Sequence, residues 1–490
     1  MRLNTFNKPL SFLLLFLTTQ IAFSFTGVKA QTPVASASRP KSICPTELKS
    51  AVDVLINRPQ FSRMRWGVLA KSLSSAQTLY SRDAEKYFTP ASNAKLLTTA
   101  AALQQLGANF RIRTSVYQDS DGVLRVVGRG DPSLKNAHLT ELAKQLRKLG
   151  ISQVQQLIAD DSYFQGESIN PSWQWEDVQA YYGAPVNSLI LNENAAVLSL
   201  LPQTIGQPLR LRWTEPTEAY RWQIENNSVT TQTDTPGSVE VSRDLKGPIL
   251  RIQGQLAVNS QPDITAIAVF DPIENFLRHF RQSLAREGIS VTKMFSGIGA
   301  KNVQEIAAVE SPPLSQLLVE INVNSNNLYA EALLKTLAIK QPPEKNQTTA
   351  DAGLKVLKTT LTQMGIAPTS YVLVDGSGLS RKNLISPEAL VQVLQVMAKS
   401  PQAEIFRASL PVAGVNGTLK NRFLNTTAVG IVQAKTGSMN GVISLSGYIN
   451  SPQYDPLIFS IMVNQSEQPA SVVRQAMDEI VVLLTQLHRC

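Results

Sequence analysis

The stretch Tyr87-Phe88-Thr89-Pro90-Ala91-Ser92-Asn93-Ala94-Lys95-Leu96-Leu97-Thr98-Thr99-Ala100-Ala101-Ala102-Leu103 decides how the rest of the chain is read. Pro90 ends an extended segment, and the Ala- and Leu-rich run after it predicts a helix closed by Gly107. Ser92 falls on the first turn of that expected helix, and Lys95 follows three residues later. On a helix, a spacing of three puts two side chains on one face, with Cβ atoms about 5–6 Å apart. A serine hydroxyl is a poor nucleophile until a neighbouring base takes its proton. A lysine in a partly dry site near other cations loses enough of its charge to be that base. The start of a helix adds a positive field and free backbone N–H groups, which suit a developing oxyanion.

The pattern alone is weak, because a serine three residues before a lysine recurs twice more. Ser38 and Lys41 flank Arg39-Pro40, which cannot be helical there. Ser290 and Lys293 follow Gly288 in a segment that reads as a strand, where residues three apart face opposite ways. Only Ser92 and Lys95 have the geometry that the chemistry requires.

A chain of 490 residues is too long for one ordinary domain, and 43% hydrophobic with 17% charged residues describes a soluble globular protein. Residues 1–30 are expected to be a secretory signal peptide. Arg2 and Lys8 precede an apolar run from Leu10 to Phe25, and Val28-Lys29-Ala30 supplies small residues for cleavage after Ala30. Thr18, Thr19 and Gln20 interrupt that run, and no other segment is apolar for long enough to span a bilayer, so no stable membrane span is expected after cleavage. The mature protein is therefore expected outside the cytoplasm, in the periplasm or cell envelope.

Losing Arg2, Lys8 and Lys29 takes the formal charge from +9 to +6, a mild basic excess without basic runs interleaved with aromatics, so no nucleic-acid partner is expected. The three histidines, His138, His279 and His488, do not support a Ser-His-Asp system. Neither a His-Glu-x-x-His pair nor a Cys/His cluster nor a Gly-x-x-x-x-Gly-Lys loop occurs, which points away from a protein metal site, a nucleotide or another cofactor. The two cysteines, Cys44 and Cys490, stand near the two ends of the expected mature chain, and in an oxidising compartment they are expected to staple the termini.

Periodicity divides the remainder into an α+β organisation. Residues 31–44 read as a Pro-, Ala- and Ser-rich linker, and 45–115 as the first part of a main domain, opening on an amphipathic helix with Leu48, Val52 and Leu55 on one stripe. Residues 116–287 are strand- and turn-rich and look inserted, as a β-rich insertion of two small domains. Residues 288–490 complete the main domain with long helices and three strands, Gly430–Gly437, Val442–Asn450 and Leu457–Asn464.

Two further polar groups stand out in that last part. Asn324-Ser325-Asn326-Asn327 interrupts a helical region where the interior should be apolar; it is either a capping group or a functional one. Lys435-Thr436-Gly437-Ser438 ends a strand written Ile431-Val432-Gln433-Ala434. It is either a solvated strand end or an edge along which an extended substrate lies, with Gly437 admitting close backbone approach.

Together and in this order, Ser92-x-x-Lys95, Ser325-x-Asn327 and Lys435-Thr436-Gly437 resemble the three signatures of the penicillin-binding protein and serine β-lactamase superfamily. The spacing of 233 positions from Ser92 to Ser325 resembles that of the low-molecular-mass class C penicillin-binding proteins, the D-alanyl-D-alanine carboxypeptidase/endopeptidase family, which carry domains inserted there. Gly130-Asp131-Pro132, Asp160-Asp161-Ser162, Tyr182-Gly183-Ala184-Pro185-Val186-Asn187 and Asp375-Gly376-Ser377-Gly378-Leu379-Ser380 add to that likeness. It implies a transpeptidase-like domain, an antiparallel sheet flanked by helices, acting on the D-Ala-D-Ala end of peptidoglycan stem peptides and binding β-lactam antibiotics covalently. It implies Ser92 as nucleophile, Lys95 as base, Ser325 as proton relay and Asn327 as partner of Lys95 and the substrate. Lys435 would supply positive charge, and Thr436, Gly437 and Ser438 would line the substrate strand, Thr436 and Ser438 at its carboxylate. The oxyanion hole would be the N–H groups of Ser92 and Ser438. A serine β-lactamase would use the same residues without needing the long insertion, and a non-catalytic cell-wall-binding relative would not need all five polar side chains.

Overall fold

Val442–Ile449 and Leu457–Asn464 are apolar at most positions, and every residue of both strands is buried. Such runs belong to the middle of a sheet covered on both faces. In the computed structural model, which describes residues 42–244, 247–299, 303–341 and 343–490, they are the second and third strands of a five-stranded sheet. The expected leader and most of the expected linker lie outside the described residues. The strand order is Val432–Met439, Val442–Ile449, Leu457–Asn464, Arg65–Ser72 and Thr78–Arg82, antiparallel throughout.

Alternation along these strands sends side chains to two cores. Ile443, Leu445, Phe459 and Ile461 meet Leu48, Val52, Val473, Met477 and Ile480 of the two terminal helices, Pro45–Ile56 and Ala470–Thr485. Tyr448, Ile458 and Met462 face the other core, built around the Lys95 helix (Lys95–Leu106) and the helix Pro387–Ala398. Every residue of the Lys95 helix from Lys95 to Leu103 is buried, so this helix is the centre of the domain rather than a surface element.

Two differences from the sequence reading bear on the site. Ser92 lies in a short 3₁₀ turn, Ala91–Ala94, and the α-helix starts only at Lys95. Ala91 has a left-handed φ of 47°, which bends the chain sharply after Pro90. The lysine strand also runs on through Met439, so Thr436, Gly437 and Ser438 belong to the strand and not to its end.

The inserted region also extends further than the expected boundary at 287. Strands Ser290–Ser296 and Glu305–Glu310 pair with Gln153–Asp160 and Arg113–Ser120, completing a mixed five-stranded sheet with Val123–Val127. The backbone hydrogen bonds of that sheet thus run on to Glu310. Helices Asn136–Lys148 and Pro272–Arg286 cover this sheet through Leu139, Leu142, Phe276 and Phe280. A separate small core holds two three-stranded sheets together, with the rings of Trp213 and Trp222 stacked at 6.1 Å.

The terminal segments meet at the far side of the first sheet. Cys44 and Cys490 form a disulfide across Cα atoms 5.9 Å apart, and Ile43 N–H donates to the Gln486 carbonyl at 3.1 Å beside it. The link spans 446 residues and touches none of the polar groups named above. Replacing both cysteines by serine should cost about 2–4 kcal/mol of stability, seen as a lower melting temperature, while the chemistry at Ser92 is unchanged. An unchanged melting temperature would mean that the packing of the terminal helices already holds the ends.

Candidate active site

Ser92, Lys95, Ser325, Asn327 and Lys435 come from three distant segments and meet between the Lys95 helix and the open edge of the first sheet. The Lys95 amine has three partners: Ser92 Oγ at 2.9 Å, Asn327 Oδ1 at 2.6 Å and the Ser377 carbonyl at 2.8 Å. An ammonium has three N–H donors; a neutral amine has two and a lone pair. Asn327 Oδ1 and the Ser377 carbonyl can only accept, whereas the serine hydroxyl can donate. The neutral amine therefore satisfies the same three contacts by accepting the proton of Ser92. Lys95 is fully buried, and burial lowers its pKa from the ordinary 10.5 to about 7, against the opposing pull of Asp375 and Glu331.

The Ser92 turn is fastened to the sheet on both sides of the serine. Ser444 Oγ donates to the Pro90 carbonyl at 2.7 Å. The Asn93 amide, in the orientation that satisfies its surroundings, donates to the Lys435 carbonyl at 2.7 Å and accepts from Leu445 N–H at 3.2 Å. Ser92 itself is only half-buried.

Ser325 and Asn327 begin the Asn327 helix (Asn327–Thr336). Asn326 caps it by accepting Tyr329 N–H at 3.1 Å. Of the two readings of this tetrad, capping thus describes Asn326 alone. Ser325 adopts a left-handed φ of 59°, and its hydroxyl accepts from Lys435 Nζ at 2.9 Å. Asn327 spans two elements: its Oδ1 faces Lys95, and its Nδ2 donates to the Tyr182 carbonyl at 2.9 Å.

Lys435 is also fully buried, and burial together with the nearby Lys95 holds its amine well below the usual lysine range. The Lys435 amine also donates to the Thr436 carbonyl at 2.9 Å. Thr436 Oγ1 donates to Thr418 Oγ1 at 2.8 Å, and Ser438 is exposed. The strand is an edge strand, and Ala434 N–H already points outward to the Pro411 carbonyl. By the two-residue period, the N–H groups of Thr436 and Ser438 point to the same edge.

A profile of the D-Ala-D-Ala carboxypeptidase 3 (S13) family matches residues 48–487. The chain belongs to that family. Similar proteins include a D-alanyl-D-alanine carboxypeptidase of Actinomadura sp. (strain R39), 33% identical over 466 residues, with 90% of this chain and 85% of that one covered. A penicillin-sensitive carboxypeptidase A of Dictyostelium discoideum is 31% identical, with 86% and 87% covered. The fold matches the crystal structure of penicillin binding protein 4 from Haemophilus influenzae with a TM-score of 0.76 at 24% identity, covering 88% of this chain and 98% of the other. The S13 fold is thus the penicillin-binding, β-lactamase-like one that the three motifs implied.

Tyr182, Ser377, Glu331 and Asp375 were not singled out as site residues. One signal was available: Asn327, Glu331 and Lys335 recur every four residues on an apolar helix, so one face carries three buried or half-buried polar groups. The contribution of Tyr182 and Ser377 is a backbone carbonyl, which side-chain chemistry cannot reveal.

Gly437 is a point of close approach between the lysine strand and the Ser92 turn. A Cβ added there would lie 2.2 Å from Ser444 Oγ, 2.8 Å from the Pro90 carbonyl and 3.0 Å from Ser92 N. Gly437→Ala should push strand and turn apart and slow covalent labelling of Ser92 by up to about 10²-fold, because angstrom displacements cost that much. A folded variant that labels at the wild-type rate would contradict this.

Proposed function

We propose that the protein is an exported serine-type D-Ala-D-Ala carboxypeptidase/endopeptidase acting on peptidoglycan stem peptides through an acyl-enzyme on Ser92. The observation that carries this reading is the buried Lys95 amine, 2.9 Å from Ser92 Oγ and anchored by two obligate acceptors. Family membership over residues 48–487 supports the substrate class. The expected leader supports export, and no helix among the described residues is long and apolar enough to cross a membrane.

In this mechanism Ser92 Oγ attacks the carbonyl between two D-alanines while its proton passes to Lys95. The new C–O bond places negative charge on the carbonyl oxygen, to which the N–H groups of Ser92 and Ser438 donate hydrogen bonds. Ser325 passes its hydroxyl proton to the departing amine as the C–N bond breaks and is reprotonated from the lysine pair through its hydrogen bond from Lys435, so the proton taken from Ser92 is returned in net to the leaving group. Water then hydrolyses the ester and regenerates the hydroxyl. Asn327 holds Lys95 and the substrate backbone, and Thr436 and Ser438 receive the terminal carboxylate at the free edge. A β-lactam enters by the same first step, consistent with the penicillin-sensitive relative.

Incubation with purified muropeptides should release D-alanine, cleave cross-links or do both, and a fluorescent penicillin should label Ser92. Ser92→Ala should abolish product and label together. Persistent labelling would place the nucleophile elsewhere, and rapid turnover of a β-lactam without muropeptide products would make the protein a β-lactamase.

The base must be neutral to act, and Lys95 has a pKa of about 7. The acylation rate should therefore rise with pH through about 7 and level off above it. Lys95→Ala should remove that limb and slow acylation by about 10²–10⁴-fold, the usual contribution of a general base. A flat profile from pH 5 to 9 in the unaltered protein would exclude Lys95 as the base.

A further inference from the structure

Glu331 sits one turn beyond Asn327 on the same helix face, with its side chain turned into the protein and 4% of its surface exposed. Buried carboxylates are costly unless their oxygens are well bonded. Its Oε1 accepts the backbone N–H groups of both Gly376 and Ser377, at 2.9 and 2.7 Å. Ser377 is the residue whose carbonyl accepts from Lys95 Nζ, and the Gly376 carbonyl accepts from Thr98 Oγ1 of the Lys95 helix at 2.7 Å. The segment is held at its other end by Asp375, which accepts from Gly378 N–H, Ser380 N–H, Asn383 Nδ2 and Trp173 Nε1. Gly378, at a φ of 82°, lies so close to the Ala91 carbonyl that a Cβ would fall 1.9 Å from it. The loop therefore locks the Lys95 helix to the Asn327 helix directly behind the amine.

We propose that Glu331 is a positioning residue for the acyl-transfer reaction: it holds the Ser377 carbonyl against the Lys95 amine and places a negative charge behind it. The inference rests on the acyl-transfer reading above. A neutral side chain would suffice to bind two N–H groups, so the charge is what distinguishes a functional role from packing. The charged groups around Glu331 are few. Lys95 faces it across the loop, Asp375 lies within the loop, and Lys335 follows one turn later on its own helix. Lys335 donates to the Glu167 and Val186 carbonyls at 3.0 and 2.7 Å and feels the charge of Asp161 from the inserted region. Lys435 lies beyond Lys95 on the sheet edge. Burial and the proximity of Asp375 raise the proton affinity of Glu331 into the range where Lys95 titrates, so its charge is present on the alkaline side of that limb and fades below it; both carboxyls raise the proton affinity of Lys95. Glu331 and Lys335 also line a cavity of about 440 Å³.

The test is the pH dependence of acylation by a fluorescent penicillin in the full chain. Glu331→Gln keeps the acceptor oxygen and removes the charge. A negative charge favours the ammonium form of Lys95, so its removal should move the acid limb to lower pH by about one unit, while the plateau changes by less than about threefold. Glu331→Ala removes the acceptor as well and should lower the plateau by about 10²-fold. Glu331→Asp keeps the charge on a shorter arm and should retain the wild-type midpoint with a plateau lowered about tenfold. That variant decides the matter if Glu331→Gln fails to give a cooperative melt. An unshifted limb in folded Glu331→Gln, or a shifted midpoint at wild-type plateau in Glu331→Asp, overturns the inference alone. Failure of the unaltered protein to label overturns the acyl-transfer reading and this inference with it.

Discussion

The structure depends on one buried amine. An ammonium taken out of water without partners costs several kcal/mol, yet Lys95 lies at the start of a helix buried along most of its length. Its position is tolerable because partners arrive from segments 232 and 282 residues away in the chain. A half-buried serine completes the set. Each of those partners is itself fixed: Asn327 by the Tyr182 carbonyl, the Ser377 carbonyl by a loop tied at both ends, and Ser92 by a turn fastened to two strands. The amine thus acts as the meeting point of the catalytic candidates and as a condition on the fold, since any of these segments misplaced would leave it unpaired.

A second lysine sharpens the same condition. Lys435 is as deeply buried as Lys95, and two ammonium groups so placed repel each other in a medium that screens poorly. The arrangement favours losing a proton from the pair, which is the state a base requires. Backbone strain collects at the same place. Ala91 and Ser325, each next to a motif residue or part of one, hold left-handed conformations that non-glycine residues adopt at a cost of about 1–3 kcal/mol. Neither residue is glycine, so the surrounding hydrogen bonds, rather than local preference, hold them there.

Much of this was legible in the residues. The three motifs and their order pointed to the family, and the last three strands, the first amphipathic helix and the Lys95 helix fall within a few residues of the expected places. Two kinds of information were not legible. The first is pairing: Ser290–Ser296 reads as a strand from its own composition, but only its parallel register with Gln153–Asp160 places it in the inserted sheet. The second is anything carried by the backbone, such as the 3₁₀ turn at Ala91–Ala94 and the carbonyls of Tyr182 and Ser377. Glu331 lies between these cases. Its spacing from Asn327 was visible, but a lone glutamate on an apolar helix could as well have been a solvated edge.

The inserted region is a wall of the site and not an appendage to it. Asn192, Glu193 and Asn194 are three successive residues at φ of 49°, 60° and 49°, a run that no local preference of these residue types would maintain. Asn194 is fully buried and offsets that cost with bonds to Leu191 N–H, the Pro185 carbonyl and Asn187 Oδ1. The result of the turn is to project Glu193 to the Asn326 amide at 2.8 Å, and Asn326 is the residue that caps the Asn327 helix. Five residues before Asn187, the Tyr182 carbonyl meets Asn327 itself. A module that merely decorated the surface would not hold strained backbone in order to touch two adjacent residues of the second motif. The long spacing between Ser92 and Ser325 therefore has a geometric consequence: the second motif is supported from a segment that lies inside that spacing.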